Sequence, residues 1–276
     1  MKKKNIFLWI GVCVLILSLA ANVQAQDKTL MMATTTSTDN TGLLEYLVPH
    51  FEKETGITLK WTSTGTGKAL ALGQNCDVDV LLVHAPDAEK KFIDSGYGKD
   101  RREIMYNDFV FIGPENDPAA VKGKSLTDAL TAIHGSQALF ISRGDDSGTH
   151  KMELGLWEGA GLPVPDRENW YIQAGQGMLA TIVVAQEKKG YTLTDRGTYI
   201  KYKAQNDGNP PLKILVEGDR ELLNQYSVIT LNPDNCPNAA YDLALQFSDW
   251  MASTAGQELI GSFLLMGEKL FFSNAQ

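Results

Sequence analysis

Apolar positions along this chain fall into two recurring patterns, short continuous runs and runs spaced three or four residues apart. Residues 29–33 form a short apolar run that predicts a strand. Leu43, Leu44, Leu47, Val48 and Phe51 then recur at helical spacing as far as Gly56, a residue suited to closing a helix. The pair repeats at once, with a strand-like run over 57–61 and a helical start at Ala69. Residues 78–83 are apolar except for Asp79, the pattern of a strand covered on both faces. Helices follow over 87–95 and 125–133, separated by a long β-rich run over 104–112. A strand over 138–141 leads to a helix from Met152, and a strand over 170–173 leads to a helix over 179–189. Residues 191–195 read as a turn into a capped helix over 196–203. Strands over 212–216 and 226–231, a helix over 239–253 continuing helically through 257–263, and a last strand over 270–272 complete the pattern.

Such alternation predicts an α/β protein with two parallel or mixed sheets flanked by helices. The runs at 104–112 and 226–231 read as two strands crossing between two domains. One domain would then hold residues 26–109 plus 228–276, and the other residues 110–227.

The first residues set the compartment. Lys2, Lys3 and Lys4 precede an apolar stretch from Ile6 to Leu19, and Val23 and Ala25 place small residues before a cut. This is the pattern of a secretory signal peptide over residues 1–25, and it predicts a protein released to the periplasm. Loss of three lysines moves the formal charge from −8 to −11. So acidic a chain argues against nucleic-acid binding. Any anion site must rely on local donors. Cys76 and Cys236 remain after the cut. In an oxidising compartment an even pair favours a disulfide, with two separate buried thiols as the alternative.

Three loops carry the candidate chemistry. Each follows a strand and opens a helix, and each is rich in hydroxyls or glycine. They are residues 34–37 (Thr-Thr-Thr-Ser), residues 63–67, which include Thr66, and residues 147–149 with Arg143, in the segment Arg143-Gly144-Asp145-Asp146-Ser147-Gly148-Thr149. Free N–H groups and the positive end of a helix dipole favour an anion at such a place. Arg143 adds a planar donor fork suited to an oxyanion. Its bland alternative is an ordinary loop pair with Asp145 or Asp146.

Other chemistries fit poorly. The loop before Lys68 lacks the first glycine of a P-loop, and Ala69 stands where Ser or Thr is needed. Gly175-x-Gly177-x-x-Ala180, followed by Asp195, formally fits a dinucleotide fingerprint, but it lies late in the chain. Asp145, Ser147 and His150 invite a catalytic triad, yet no G-x-S-x-G elbow surrounds Ser147. The four histidines lack metal-binding spacing. We therefore expect no catalytic residues, no metal and no cofactor. A secreted enzyme acting on a phosphorylated or sulfated substrate is the alternative.

Residues 34–43, 77–86 and 142–151 together closely resemble the substrate-binding proteins of tungstate ABC transporters. The resemblance spans essentially the whole mature chain. It implies a two-lobed periplasmic binding fold of the second type, a tungstate or molybdate ligand, a membrane ABC permease as partner and a monomeric protein. The spacing from Arg143 to Thr149 is also similar to that of phosphate-binding proteins. By that likeness Arg143 grips the anion and Asp145 orients the Arg143 guanidinium. Ser147, Gly148 and Thr149 donate, together with Thr35, Thr36, Ser37 and Thr66. Phosphate binders of this class resemble one another in placing a carboxylate after the third strand, where His84 stands here. A proton-bearing anion would lack its acceptor, so tungstate, molybdate and sulfate suit the site better than hydrogen phosphate.

Overall fold

The computed structural model describes residues 28–276. The signal-peptide expectation lies outside the described residues. Among the described residues no helix is long and apolar enough to cross a membrane.

The first half starts with β1 (Thr29–Thr35), a four-residue helix α1 (Thr36–Asp39) and α2 (Leu43–Thr55). It continues with β2 (Thr58–Thr64), α3 (Thr66–Gln74), β3 (Val80–Val83) and α4 (Pro86–Asp94). Strands β1, β2 and β3 are parallel, with β1 in the middle. Alternation along β3 explains its apolar run. Val80 and Leu82 enter one core, shared with Leu30, Met32 and Phe51, while Leu81 and Val83 enter another on the opposite face, with Ala33 and Phe92. Asp79, the polar break in that run, accepts from the N–H groups of Met31 and Ala240 at 2.7 and 2.8 Å.

The long strand β4 (Gly98–Pro114) links the halves. Its first part pairs antiparallel with β9 (Leu223–Leu231), from Gly98 to Asp108. From Phe109 onward it pairs instead with β7 (Thr192–Asp195) and β8 (Leu212–Val216). Phe109 and Phe111 face a second-half core with Phe140, Trp157 and Tyr191, and Val110 and Ile112 face its other side with Ile182 and Tyr202. The second half also holds α5 (Leu126–Ser136), β5 (Phe140–Ser142), α6 (Gly148–Gly159), β6 (Tyr171–Gln173), α7 (Met178–Lys188) and α8 (Arg196–Gln205). Strands β5 and β6 are parallel.

The chain returns to the first sheet through β9, which lies antiparallel to β3, and ends in α9 (Tyr241–Ala252), α10 (Thr254–Ser262) and three two-residue strands. Cys76 and Cys236 are disulfide-bonded with Cα atoms 5.5 Å apart, tying the segment after β9 to the end of α3.

Several elements depart from the sequence reading. Residues 192–195 are a strand, because Leu193 and its neighbours pair with β4. A short Thr-rich run before a capped helix looks like a turn until a partner strand lies beside it. The return crossing lies before Leu223, since all of β9 pairs within the first sheet. The helical stretch after Ser253 is a separate helix, because Ser253 is extended and caps α10 through its hydroxyl. Helix α6 starts at Gly148, not Met152. Leu270 and Phe271 are core residues, and the last strand is Phe272–Ser273.

Candidate functional site

Parallel pairing puts the C-terminal ends of β1, β2 and β3 on one edge of the first sheet. Thr34 and Thr35 lie beside Ser63 and Thr64, and Thr34 lies beside Leu82 on the other side. Three segments thus converge: residues 35–37, residues 64–66 and His84. Ligands of open α/β sheets gather at such an edge.

The hydroxyls there are not equivalent. Thr34 is fully buried and donates to the Leu82 carbonyl at 2.8 Å, so it serves the fold. Ser63 donates to Asp39 at 2.8 Å, and Trp61 donates to the same carboxylate at 2.7 Å. Asp39 thereby ties the first loop to β2. Thr35 is 3% exposed, and its Oγ1 accepts from the Thr38 N–H at 3.2 Å and lies 2.7 Å from the Thr38 hydroxyl. It also lies 3.0 Å from the Ser37 hydroxyl and 2.9 Å from His84 Nε2. Thr36 and Ser37 are exposed at the start of α1. Thr66 is the first residue of α3, whose N-cap Gly65 offers no side-chain acceptor, so the first-turn N–H groups stay free of a cap.

In the second half, β5 and β6 place residues 142–144 beside residues 173–175. Arg143 O accepts from Gly175 N at 2.8 Å, and Ser142 O accepts from Ala174 N at 2.9 Å. Gly144 has φ +59°, and a Cβ there would stand 2.6 Å from Gln173 Cβ. Only glycine fits this close approach in the left-handed region. Asp145 Oδ2 accepts from Arg143 Nε at 3.1 Å and from Nη2, while Asp145 Oδ1 accepts from Ser147 N at 3.2 Å. One carboxylate therefore holds one edge of the guanidinium and leaves Nη1 for another acceptor. Burial works to raise the Asp145 pKa, but bonds from Ser147 and Arg143 outweigh it and hold the group below the usual carboxylate range. Ser147 caps α6, accepting from His150 N at 3.3 Å. The N–H groups of Gly148 and Thr149 lie in the first helical turn, where no intrahelical acceptor exists.

The triad reading fails on geometry. His150 Nδ1 accepts from Asp146 N at 3.1 Å, and Asp145 is engaged with Arg143. No Asp–His–Ser relay forms. The dinucleotide reading also fails, because Asp195 caps α8 through bonds from the N–H and hydroxyl of Thr198 at 2.8 and 2.7 Å. Among the described residues no group of three or more His, Cys, Asp or Glu side chains is placed to hold a metal ion.

Two features of the site were missed in the sequence. Glu153, one helical turn and a half into α6, is 2% exposed and accepts from the Tyr171 hydroxyl at 2.5 Å and Trp157 Nε1 at 3.4 Å. Burial pushes its pKa up to about 7 against those hydrogen bonds. The other is the set of partners of His84: the sequence placed this residue after the third strand, where phosphate binders carry a carboxylate, but not its contacts with Thr35, Ser37 and Asn224.

Between the two loop sets lies the β4–β9 crossing. Arg196 on α8 pairs with Asp108 at 2.5 and 2.6 Å and with Glu217 at 2.6 Å. Lys201 donates to the Asn40 carbonyl, and Lys203 pairs with Glu268 at 3.1 Å, so α8 reaches across to the first half.

Strand-end donor loops on two halves joined by a crossing strand define a two-lobed binding protein, and a family model described as PBP superfamily domain matches residues 22–255. The tungstate-binding protein TupA of Campylobacter jejuni is 50% identical over 87% of this chain and 89% of that protein. The solved structure of the tungstate-binding protein TupA from Desulfovibrio alaskensis G20 is 63% identical, with TM-score 0.87 over 90% of this chain and 99% of that one. The solved structure described as the tungstate ABC transporter from Geobacter sulfurreducens is 45% identical, with TM-score 0.74 over 86% of this chain and 99% of that one. The chain belongs to the PBP superfamily and, within it, to the TupA-type substrate-binding proteins. It is a binding protein rather than an enzyme, and the secreted-enzyme alternative finds no support among these relatives.

Proposed function

We propose that this protein captures tungstate, and molybdate as a near-isosteric second ligand, outside the cytoplasm and delivers it to an ABC permease. The observation that carries this reading is the Arg143–Asp145 pair at the N-terminus of α6, in a chain 63% identical to a tungstate-binding protein. Tungstate is a dianion that only accepts hydrogen bonds. Arg143 supplies charge and a free guanidinium edge. Ser147, Gly148 and Thr149 supply a hydroxyl and first-turn N–H groups, and the dipole of a twelve-residue helix adds to them. Thr36, Ser37 and Thr66 donate from the other half. Thr35 contributes through the hydroxyl cluster around it.

The two halves act as lobes of a clamp around the β4–β9 crossing, with the residues before Phe109 plus 223–276 on one side and 109–222 on the other, so the return boundary lies earlier than the 227/228 read from the sequence. The protein works as a monomer in the periplasm after loss of residues 1–25. Because the mature chain is strongly acidic, capture depends on these local donors and on expelling water between the lobes, where charge-assisted bonds strengthen.

Calorimetric titration of the mature protein with tungstate, molybdate, sulfate and hydrogen phosphate tests the reading. Tight tungstate binding, with molybdate equal or weaker and the other two undetectable, is the expected result. Binding of none of the four overturns it.

A further inference from the structure

His84 closes β3 and sits between the first donor loop and the crossing. Its ring stacks on Tyr226 with centroids 4.6 Å apart. Its Nδ1 lies 2.9 Å from Asn224 Oδ1. The Asn224 amide nitrogen donates to Asn107 Oδ1 at 2.7 Å and to the Tyr226 hydroxyl at 3.3 Å, and the Asn107 amide nitrogen donates to the same hydroxyl at 3.2 Å. Asn107 and Asn224 are paired residues of β4 and β9, two positions before β4 turns to its second-half partners. With the Asn224 nitrogen engaged in this way, its carbonyl oxygen faces His84, so Nδ1 carries the ring proton. Nε2 is then a bare acceptor. It lies 2.9 Å from the Thr35 hydroxyl and 3.0 Å from that of Ser37.

We propose that His84 is a positioning residue for the anion: its unprotonated Nε2 draws one hydroxyl proton of the Thr35–Ser37 pair and thereby orients the other toward the ligand. This rests on the oxyanion-binding reading above. Thr35 Oγ1 already accepts from Thr38 N, and it has one proton to give, to Nε2 or to the Thr38 hydroxyl 2.7 Å away. If Thr35 gives it to Nε2, Ser37 is left to donate to the anion; if Ser37 gives its proton, Thr35 is left. Without an acceptor at this point the two hydroxyls can bond to each other, 3.0 Å apart, and neither is aimed. Burial lowers the pKa of the ring, against pulls from Asn224 and from the charge of Asp195, which favours the neutral form. The other titratable group against the ring is Tyr226, whose hydroxyl burial also keeps protonated.

Two substitutions separate acceptor from packing. His84→Phe keeps a flat ring for Tyr226 and removes Nε2. His84→Gln loses the stack and returns a carbonyl oxygen near the position of Nε2. Calorimetric titration with sodium tungstate at pH 7.5, after circular dichroism confirms folding, is expected to show about a tenfold loss for His84→Phe, the scale of one misplaced hydrogen bond. His84→Gln is expected to stay within about threefold of the native protein, as the acceptor is restored. Native affinity in the Phe variant, or a loss in the Gln variant as large as in the Phe variant, overturns the proposal. Long-range nitrogen–proton NMR of the native protein gives a second reading that needs no variant. A proton on Nδ1 with Nε2 bare is expected, and a proton on Nε2 overturns the assignment. A native protein that fails to bind tungstate overturns the functional reading instead, while the NMR result still stands or falls by itself.

Discussion

Arg143 is held in one orientation by Asp145. A free arginine loses side-chain entropy when it binds, but here Asp145 has fixed one edge of the guanidinium, and the side chain is only 15% exposed. Replacing it removes a charge-assisted contact and leaves the anion facing an acidic protein. Arg143→Ala is expected to weaken tungstate binding by roughly 2–5 kcal/mol, read by calorimetry. Unchanged affinity would remove Arg143 from the site. Asp145→Asn keeps the charge on Arg143 and loosens its aim, so a smaller loss of about 1 kcal/mol is expected in the same titration.

At the scale of elements, α6 does two jobs. Its first turn presents donors, and its second buries Glu153 behind them. A carboxyl group raised to about 7 in the folded protein, against the ordinary 4.5, is protonated in the native state over a range where the unfolded chain has lost its proton. The native state then holds more protons, so stability falls as pH rises from about 4.5 through about 7, and levels off above. Glu153→Gln is expected to flatten that slope in thermal melts taken across the range and to raise stability at pH 8 by an amount on the order of 1–3 kcal/mol. An unchanged slope would show that another group causes it. Beside α6, Gly144 lets the loop after β5 pass close against Gln173. Gly144→Ala adds a Cβ both at positive φ and into Gln173, and is expected to cost about 1–3 kcal/mol of stability. The variant should also bind tungstate more weakly, because Arg143 is displaced with the loop.

For the molecule as a whole, the disulfide closes a loop of 160 residues in sequence that contains the entire second half. Replacing Cys76 and Cys236 together by Ser should lower stability by about 2–5 kcal/mol, seen as a lower denaturant midpoint. The site lies far from the bond along the sheet, at the other end of β3, so tungstate affinity should change little. Ligand adds stability by mass action, about 2.7 kcal/mol at a hundredfold excess over Kd. A clear rise in melting temperature with tungstate and none with sulfate is therefore expected in native protein.

Most of the elements and all three donor loops were legible in the sequence, because period-two and period-3.6 patterns, caps and hydroxyl runs are local properties of the chain. The Arg143 to Thr149 segment offered an anion site through residue type and spacing, with an ordinary Arg–Asp loop pair as the alternative, and only the family resemblance favoured the first. The acidic balance and the lack of a nucleophile–base pair excluded most other classes in the same way. What the sequence could not decide depended on which strands lie side by side. Thr34 and Ser63 looked equal to their neighbours until pairing showed Leu82 and Asp39 taking their protons. Residues 192–195 looked like a turn until β4 lay beside them. The contacts of His84 could not be read from its place after the third strand, because its partners Thr35, Asn224 and Tyr226 are spread over nearly two hundred residues and meet only where β1, β3 and β9 pack together. Local pattern fixes which groups a chain can offer; tertiary pairing decides which of them are spent on the fold and which remain for a ligand, since each proton and lone pair can be used once.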